Sequence, residues 1–160
     1  MNTTISLANR IREVILNGTW IANTNFKQEL DNVNWQTAST KVDDFNTIAA
    51  LAQHIHYYIK GVKEALITGE LKISDRYSFD FPEITHHEMW TKFLKEFWND
   101  SEELAHLVAQ MSEEKLQQNF VLEKYGSVLR NIDGLIEHSY YHLGQIVLIK
   151  KMVLRQSNSL

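Results

Sequence analysis

The sequence predicts an all-α protein: a four-helix bundle with a long crossover between helices two and three and a short extra helix before helix four. Three observations carry this expectation. One proline and six glycines in 160 residues are sparse punctuation, which suits long helices better than a turn-rich sandwich. Four long stretches place apolar residues every three or four positions, the period of a helix with one buried face. No convincing set of alternating runs offers a sheet. The length fits a single domain over residues 1–160, enough to bury roughly 70% of the unfolded surface.

The first helix is expected from about Thr4 to Asn17, with Ile5, Ile11, Val14 and Ile15 as its apolar positions and Gly18 as its stop. A polar connection from Trp20 to Lys41 follows, long enough to hold structure of its own. Asp43 or Asp44 is expected to cap a second helix that runs to Ile67, ahead of Gly69. Its stripe of Ile48, Leu51, Ile55, Tyr58, Val62 and Leu66 steps by three and four. The irregular segment from Gly69 to Ile84 reads as an extended crossover carrying Tyr77, Phe79 and Phe81. Such a length would let helices two and three run parallel.

Thr85, His86, His87 and Glu88 match a capping box, opening a third helix to about Met111 with Trp90, Phe93, Phe97, Leu104 and Val108 inward. Ser112 is placed to cap a short helix ending near Phe120. Ser127, after Gly126, is placed to cap the fourth helix, to about Arg155. That helix is apolar nearly all round from Gln145 to Leu154, so it is expected to be buried on more than one side, with a second subunit of a homodimer as one possible cover.

Composition narrows the chemistry. Zero cysteines exclude disulfides, thiolate metal sites and a cysteine nucleophile. Sixteen basic against twenty acidic residues supply no global cationic footprint for nucleic acid or an anionic membrane. The first twenty residues hold no signal-peptide core, and the longest apolar run, Ile48 to Ala52, is five residues, far short of a membrane span. A cytoplasmic protein is the expectation. Seven histidines are then the natural carriers of any metal chemistry.

His138 and His142 stand at i and i+4, about 40° apart around a helix, so both rings can turn to one ion. Spacing alone is weak, since about 0.3 such pairs are expected by chance in a chain of this histidine content. Placed every 100°, His138, His142, Leu135, Gln145 and Ile149 fall within about 80° of one another, a shared inward stripe. Two readings follow: core histidines bonded to carbonyls or carboxylates, or metal ligands. On helix two, His54 and His56 point to different sides, and His54 lies nearer the apolar stripe. His56 reads as solvated or at an interface and His106 as a surface residue. His86 and His87 read as capping or exposed, with a substrate-facing role held open by their place beside the crossover.

An inward histidine early in helix two (Ala52-Gln53-His54-Ile55), with His138-Ser139-Tyr140-Tyr141-His142-Leu143-Gly144-Gln145 in helix four, resembles the DinB/YfiT-like metalloenzymes over the whole chain. The resemblance implies a divalent metal on His54, His138 and His142, zinc or nickel foremost and iron also. It implies transfer of a low-molecular-weight thiol, or hydrolysis, on a small-molecule substrate. Many relatives carry a basic residue where this chain has Leu143, which puts one substrate contact in doubt. No residue is assigned a catalytic role beyond ligation. Glu137 and Gln145 are candidates to orient an imidazole, and Asp44 is expected on the inner face. The competing class is a non-catalytic helical binding or stress-response module with structural histidines.

Overall fold

The computed structural model describes residues 3–157, with side chains to Gln156. Met1, Asn2 and residues 158–160, which the single-domain expectation also covers, lie outside that range. Seven α-helices make up the described chain: α1 (Thr3–Arg12), α2 (Phe26–Leu30), α3 (Trp35–Ser39), α4 (Ile48–Thr68), α5 (His87–Ala109), α6 (Glu113–Gln117) and α7 (Val128–Ser157). No sheet is present among the described residues; one isolated antiparallel bridge joins Asn119 and Ser127. No described helix is long and apolar enough to cross a membrane.

α1, α4, α5 and α7 supply most of one hydrophobic core. Leu7 and Ile11, Ile55 and Ile59, Phe97 and Leu104, and Ile132, Ile136 and Ile146 are nearly inaccessible to solvent. Burying each such side chain contributes about 1.5–3 kcal/mol. α1 meets α5 through Arg12 and Glu102, and meets α7 through Arg10 and Asp133, 2.6 Å apart. α4 meets α5 where His56 Nε2 lies 2.6 Å from Asp100 and Lys63 reaches both Asp100 and Glu103. α2 is tied to α7 by Lys150, which donates to the Glu29 carbonyl and carboxylate.

Several local expectations are corrected. α1 is not one regular helix: after Arg12 it widens into a π-helical turn, Glu13–Asn17, and Ile5 is exposed rather than inward. There Glu13 accepts the Tyr140 hydroxyl at 2.8 Å, joining the widened turn to α7. α4 begins at Ile48 under the Thr47 hydroxyl, which accepts the Ala50 N–H at 3.1 Å. Asp43 cannot serve as the cap because it sits in a left-handed turn (φ 45°), and Asp44 is exposed outside the helix rather than on its inner face. The capping box at Thr85 does not form. α5 starts at His87, and Thr85 Oγ1 lies against the His86 ring instead of a backbone N–H.

Other expectations hold. Ser112 and Ser127 accept the N–H groups of Lys115 and Arg130. Gly69 ends α4 in the left-handed region (φ 76°), as a C-terminal glycine does. The polar connection holds α2 and α3. The crossover is extended apart from one 3₁₀ turn, Asp75–Tyr77, and it lies close on α4 because Gly61 has no side chain. A Cβ there would fall 2.5 Å from Ile73. Apolar residues on α7 divide: Ile146, Ile149 and Val153 are buried, whereas Leu148 is 60% and Leu154 46% exposed.

Candidate metal centre

His54 projects from α4, and His138 and His142 project from successive turns of α7. The three bring one ring nitrogen each within 4.8 Å of one another. His138 Nε2 is 3.2 Å from His54 Nε2 and 2.9 Å from His142 Nε2. His54 and His142 are buried, at 5% and 6% exposure, and His138 is half-buried.

Neighbouring acceptors fix two of the rings. His54 Nδ1 donates to the Ser78 carbonyl at 2.9 Å, and His142 Nδ1 donates to Gln145 Oε1 at 2.7 Å. A neutral imidazole with its proton on Nδ1 carries a lone pair on Nε2. Both rings therefore aim lone pairs at His138 Nε2, which has at most one proton to share between them. A cation among the three nitrogens satisfies all of them at once, and Nδ1–H bonds to a carbonyl and an amide oxygen are the usual way of orienting such ligands.

The surroundings keep the rings neutral. Burial lowers the His54 pKa, and burial with the neighbouring His54 imidazole lowers that of His142. Burial, then repulsion from His142 and His54, pushes His138 down to about 4. Phe79 of the crossover stacks on His54 at 4.1 Å between ring centres, and Ser78 beside it is buried. Tyr58 packs edge-on to both His54 and His138, with its hydroxyl donated to Asp75 at 2.6 Å. Burial and that bond to a carboxylate raise its pKa to about 12, so the phenol stays protonated.

The remaining sequence candidates separate cleanly. Gln145 does orient an imidazole; Glu137 does not, being exposed and paired with Arg130 at 3.1 Å. His56 is not solvated: its side chain is packed at the contact between α4 and α5, against Asp100, Phe93 and Phe97. His86, His87 and His106 are exposed. Leu143 is 1% exposed and part of the core, so a basic side chain there would face apolar packing rather than the histidines. Sequence reasoning missed Ser78, Phe79, Tyr58 and Asp75 as neighbours of the site. The signals available were the crossover's aromatic content for Phe79 and, for Tyr58, its place on the inward stripe one turn after His54.

Fold and site together define a class: an all-helical protein with three inward imidazoles converging between two long helices. The chain belongs to the family described as "Protein of unknown function (DUF1572)", whose sequence profile matches residues 9–159. Comparison with curated proteins and with solved structures found no match.

Proposed function

We propose that this protein is a divalent-metal-dependent enzyme whose ion is held by His54, His138 and His142. The carrying observation is the convergence of the three Nε2 atoms with the proton of two rings committed elsewhere, to Ser78 and Gln145. Zinc or nickel suits three imidazoles best, with iron as a further choice. An ion with three neutral ligands keeps its full charge and an open position, where it acidifies a water or thiol and polarises a substrate.

The protein's own residues supply the rest. Ser78 and Gln145 hold the rings in register, Phe79 covers one face of His54, and burial excludes protons from the ligand nitrogens. Resemblance to the DinB/YfiT-like enzymes directs the reading toward transfer of a small thiol, with hydrolysis as the alternative reaction. A chain without cysteine leaves the sulfur to come with the substrate. We read the fold as the four-helix bundle of that group. Pairing of His56 with Asp100 and of Lys63 with Glu103 supports α4 and α5 running in the same direction, which the long crossover permits. Exposed Leu148 and Leu154 support a homodimer through α7.

Metal analysis of untagged protein, purified with zinc or nickel supplied, tests the reading. About one equivalent per chain is expected, lost in His54→Ala, His138→Ala and His142→Ala variants that retain helical circular dichroism. Less than about a tenth of an equivalent in the parent protein would leave structural histidines in a non-catalytic helical module.

A further inference from the structure

Beside the histidine cluster lies a cleft of about 330 Å³ lined by Tyr58, Val62, Tyr125, Arg130, Asn131, Gly134, Leu135 and His138. Arg130, Gly134, His138 and His142 form a single row at a spacing of four along α7, so they lie one above another on one ridge. About 12 Å of helix axis separates the Cα atoms of Arg130 and His138. The arginine side chain shortens that span by lying along the helix toward the histidine. Its Nη1 contacts Glu137, the neighbour of His138, and would be 3.8 Å from a Cβ at Gly134. Glycine at 134 thus leaves the cleft floor bare between a cation and a metal ligand.

The walls are held in place. Val128 N–H donates to Gln118, Phe120 N–H to Gly126, and the Asn131 amide to the carbonyls of Tyr125 and Ser127. Val121, a β-branched residue, adopts the left-handed region (φ 61°) in this loop, a conformation that persists only where the surroundings impose it. On the other side, the Tyr58 hydroxyl is committed to Asp75. No carboxylate lines the cleft and one guanidinium does. Its present partner, Glu137, is exposed on the surface (63%, with Arg130 at 64%), and such pairs are readily exchanged for a better placed anion.

We infer that this cleft selects a small substrate bearing a single carboxylate, which Arg130 binds while the substrate's other end reaches the ion at the three histidines. One planar guanidinium matches one carboxylate in shape and charge; a phosphate dianion would call for a second cation. The inference deepens the metal-enzyme reading and rests on it for the far end of the substrate. It assigns Arg130 to specificity and Gly134 to the room the substrate needs.

The test uses mercaptopropionate and its neutral analogue mercaptopropanol, titrated into cobalt-loaded protein with the thiolate-to-cobalt absorption as readout. The acid is expected to bind at least about tenfold more tightly than the alcohol, the size of effect a charged hydrogen bond produces. Arg130→Gln should abolish that preference while leaving cobalt affinity unchanged. Gly134→Ala, which favours the helix and adds a methyl to the cleft floor, should weaken the acid while raising the melting temperature. Equal binding of the two thiols, or a preference that survives Arg130→Gln, would overturn the inference. Failure to bind cobalt would instead count against the metal reading. In that event propionate added to metal-free protein tests the cleft by itself: amide NMR shifts at Tyr125, Arg130 and Gly134 keep the inference, and their absence rejects it.

Discussion

At the scale of single residues, the cluster is defined by where protons are not. Ser78 and Gln145 each take an Nδ1 proton, so two lone pairs are presented to a third imidazole that cannot satisfy both. Removing the amide in Gln145→Ala is expected to weaken metal binding about 10–100-fold, measured by competition with a chelator. An unchanged affinity would show that the ring needs no such support. The same neutrality sets a pH dependence. Burial holds His54, His56, His138 and His142 below the usual histidine range. As pH falls through about 6.5, the unfolded chain takes up protons that the folded protein refuses, so stability is lost with acidification. The loss continues until the lowest folded value, about 4 at His138, is passed. The melting temperature of metal-free protein should therefore fall between pH 7 and pH 5, and a His138→Gln variant should fall less. A flat profile would mean the rings are as accessible to protons folded as unfolded.

At the scale of elements, the long helices were legible because their apolar residues recur with helical spacing, and α4, α5 and α7 each bury most of the stripe that spacing marks, with Tyr58, Leu66 and Phe93 half-buried. Their ends were less legible. Asp43, Asp44 and Thr47 are all competent caps by residue type, and the structure decides for Thr47: α4 starts at Ile48, the Thr47 hydroxyl accepts the Ala50 N–H, and both aspartates lie in the turn before it. Thr47→Ala should destabilise the fold by about 1 kcal/mol in urea unfolding, and Asp44→Ala by less than about 0.5 kcal/mol, as at an ordinary surface position. The reverse order would restore the aspartate cap. His56 was misplaced for a related reason. A helical wheel centred on one helix ignores that α5 arrives from the side, bringing Asp100 to His56 and Lys63. Burial alone would raise the Asp100 carboxyl, but hydrogen bonds from Lys63 and His56 outweigh it and hold its pKa below the usual range.

At the scale of the whole molecule, the site depends on chain segments far apart in sequence. His54 and His138 are 84 residues apart, and Ser78 reaches His54 from a crossover with no periodicity to read. The histidine pair of α7 was visible as an i, i+4 spacing. The helical wheel made His54 the better inward candidate on α4, and the DinB/YfiT resemblance joined it to that pair; Tyr58 follows His54 by one turn of α4, whereas Phe79 is a neighbour only in three dimensions. Leu148 and Leu154 leave apolar surface on α7 that no other described residue covers. Sedimentation at high micromolar concentration should show a dimer, with Leu148→Asp shifted toward monomer. A monomeric parent protein would assign those leucines to ordinary exposed surface.

The central claim, an ion at the three histidines, is tested most directly by anomalous scattering from crystals of zinc- or nickel-supplemented protein, with data on both sides of the metal's absorption edge. The predicted result is one edge-dependent peak about 2.0–2.1 Å from the Nε2 atoms of His54, His138 and His142. The contradicting result is ordered imidazoles with no peak among them.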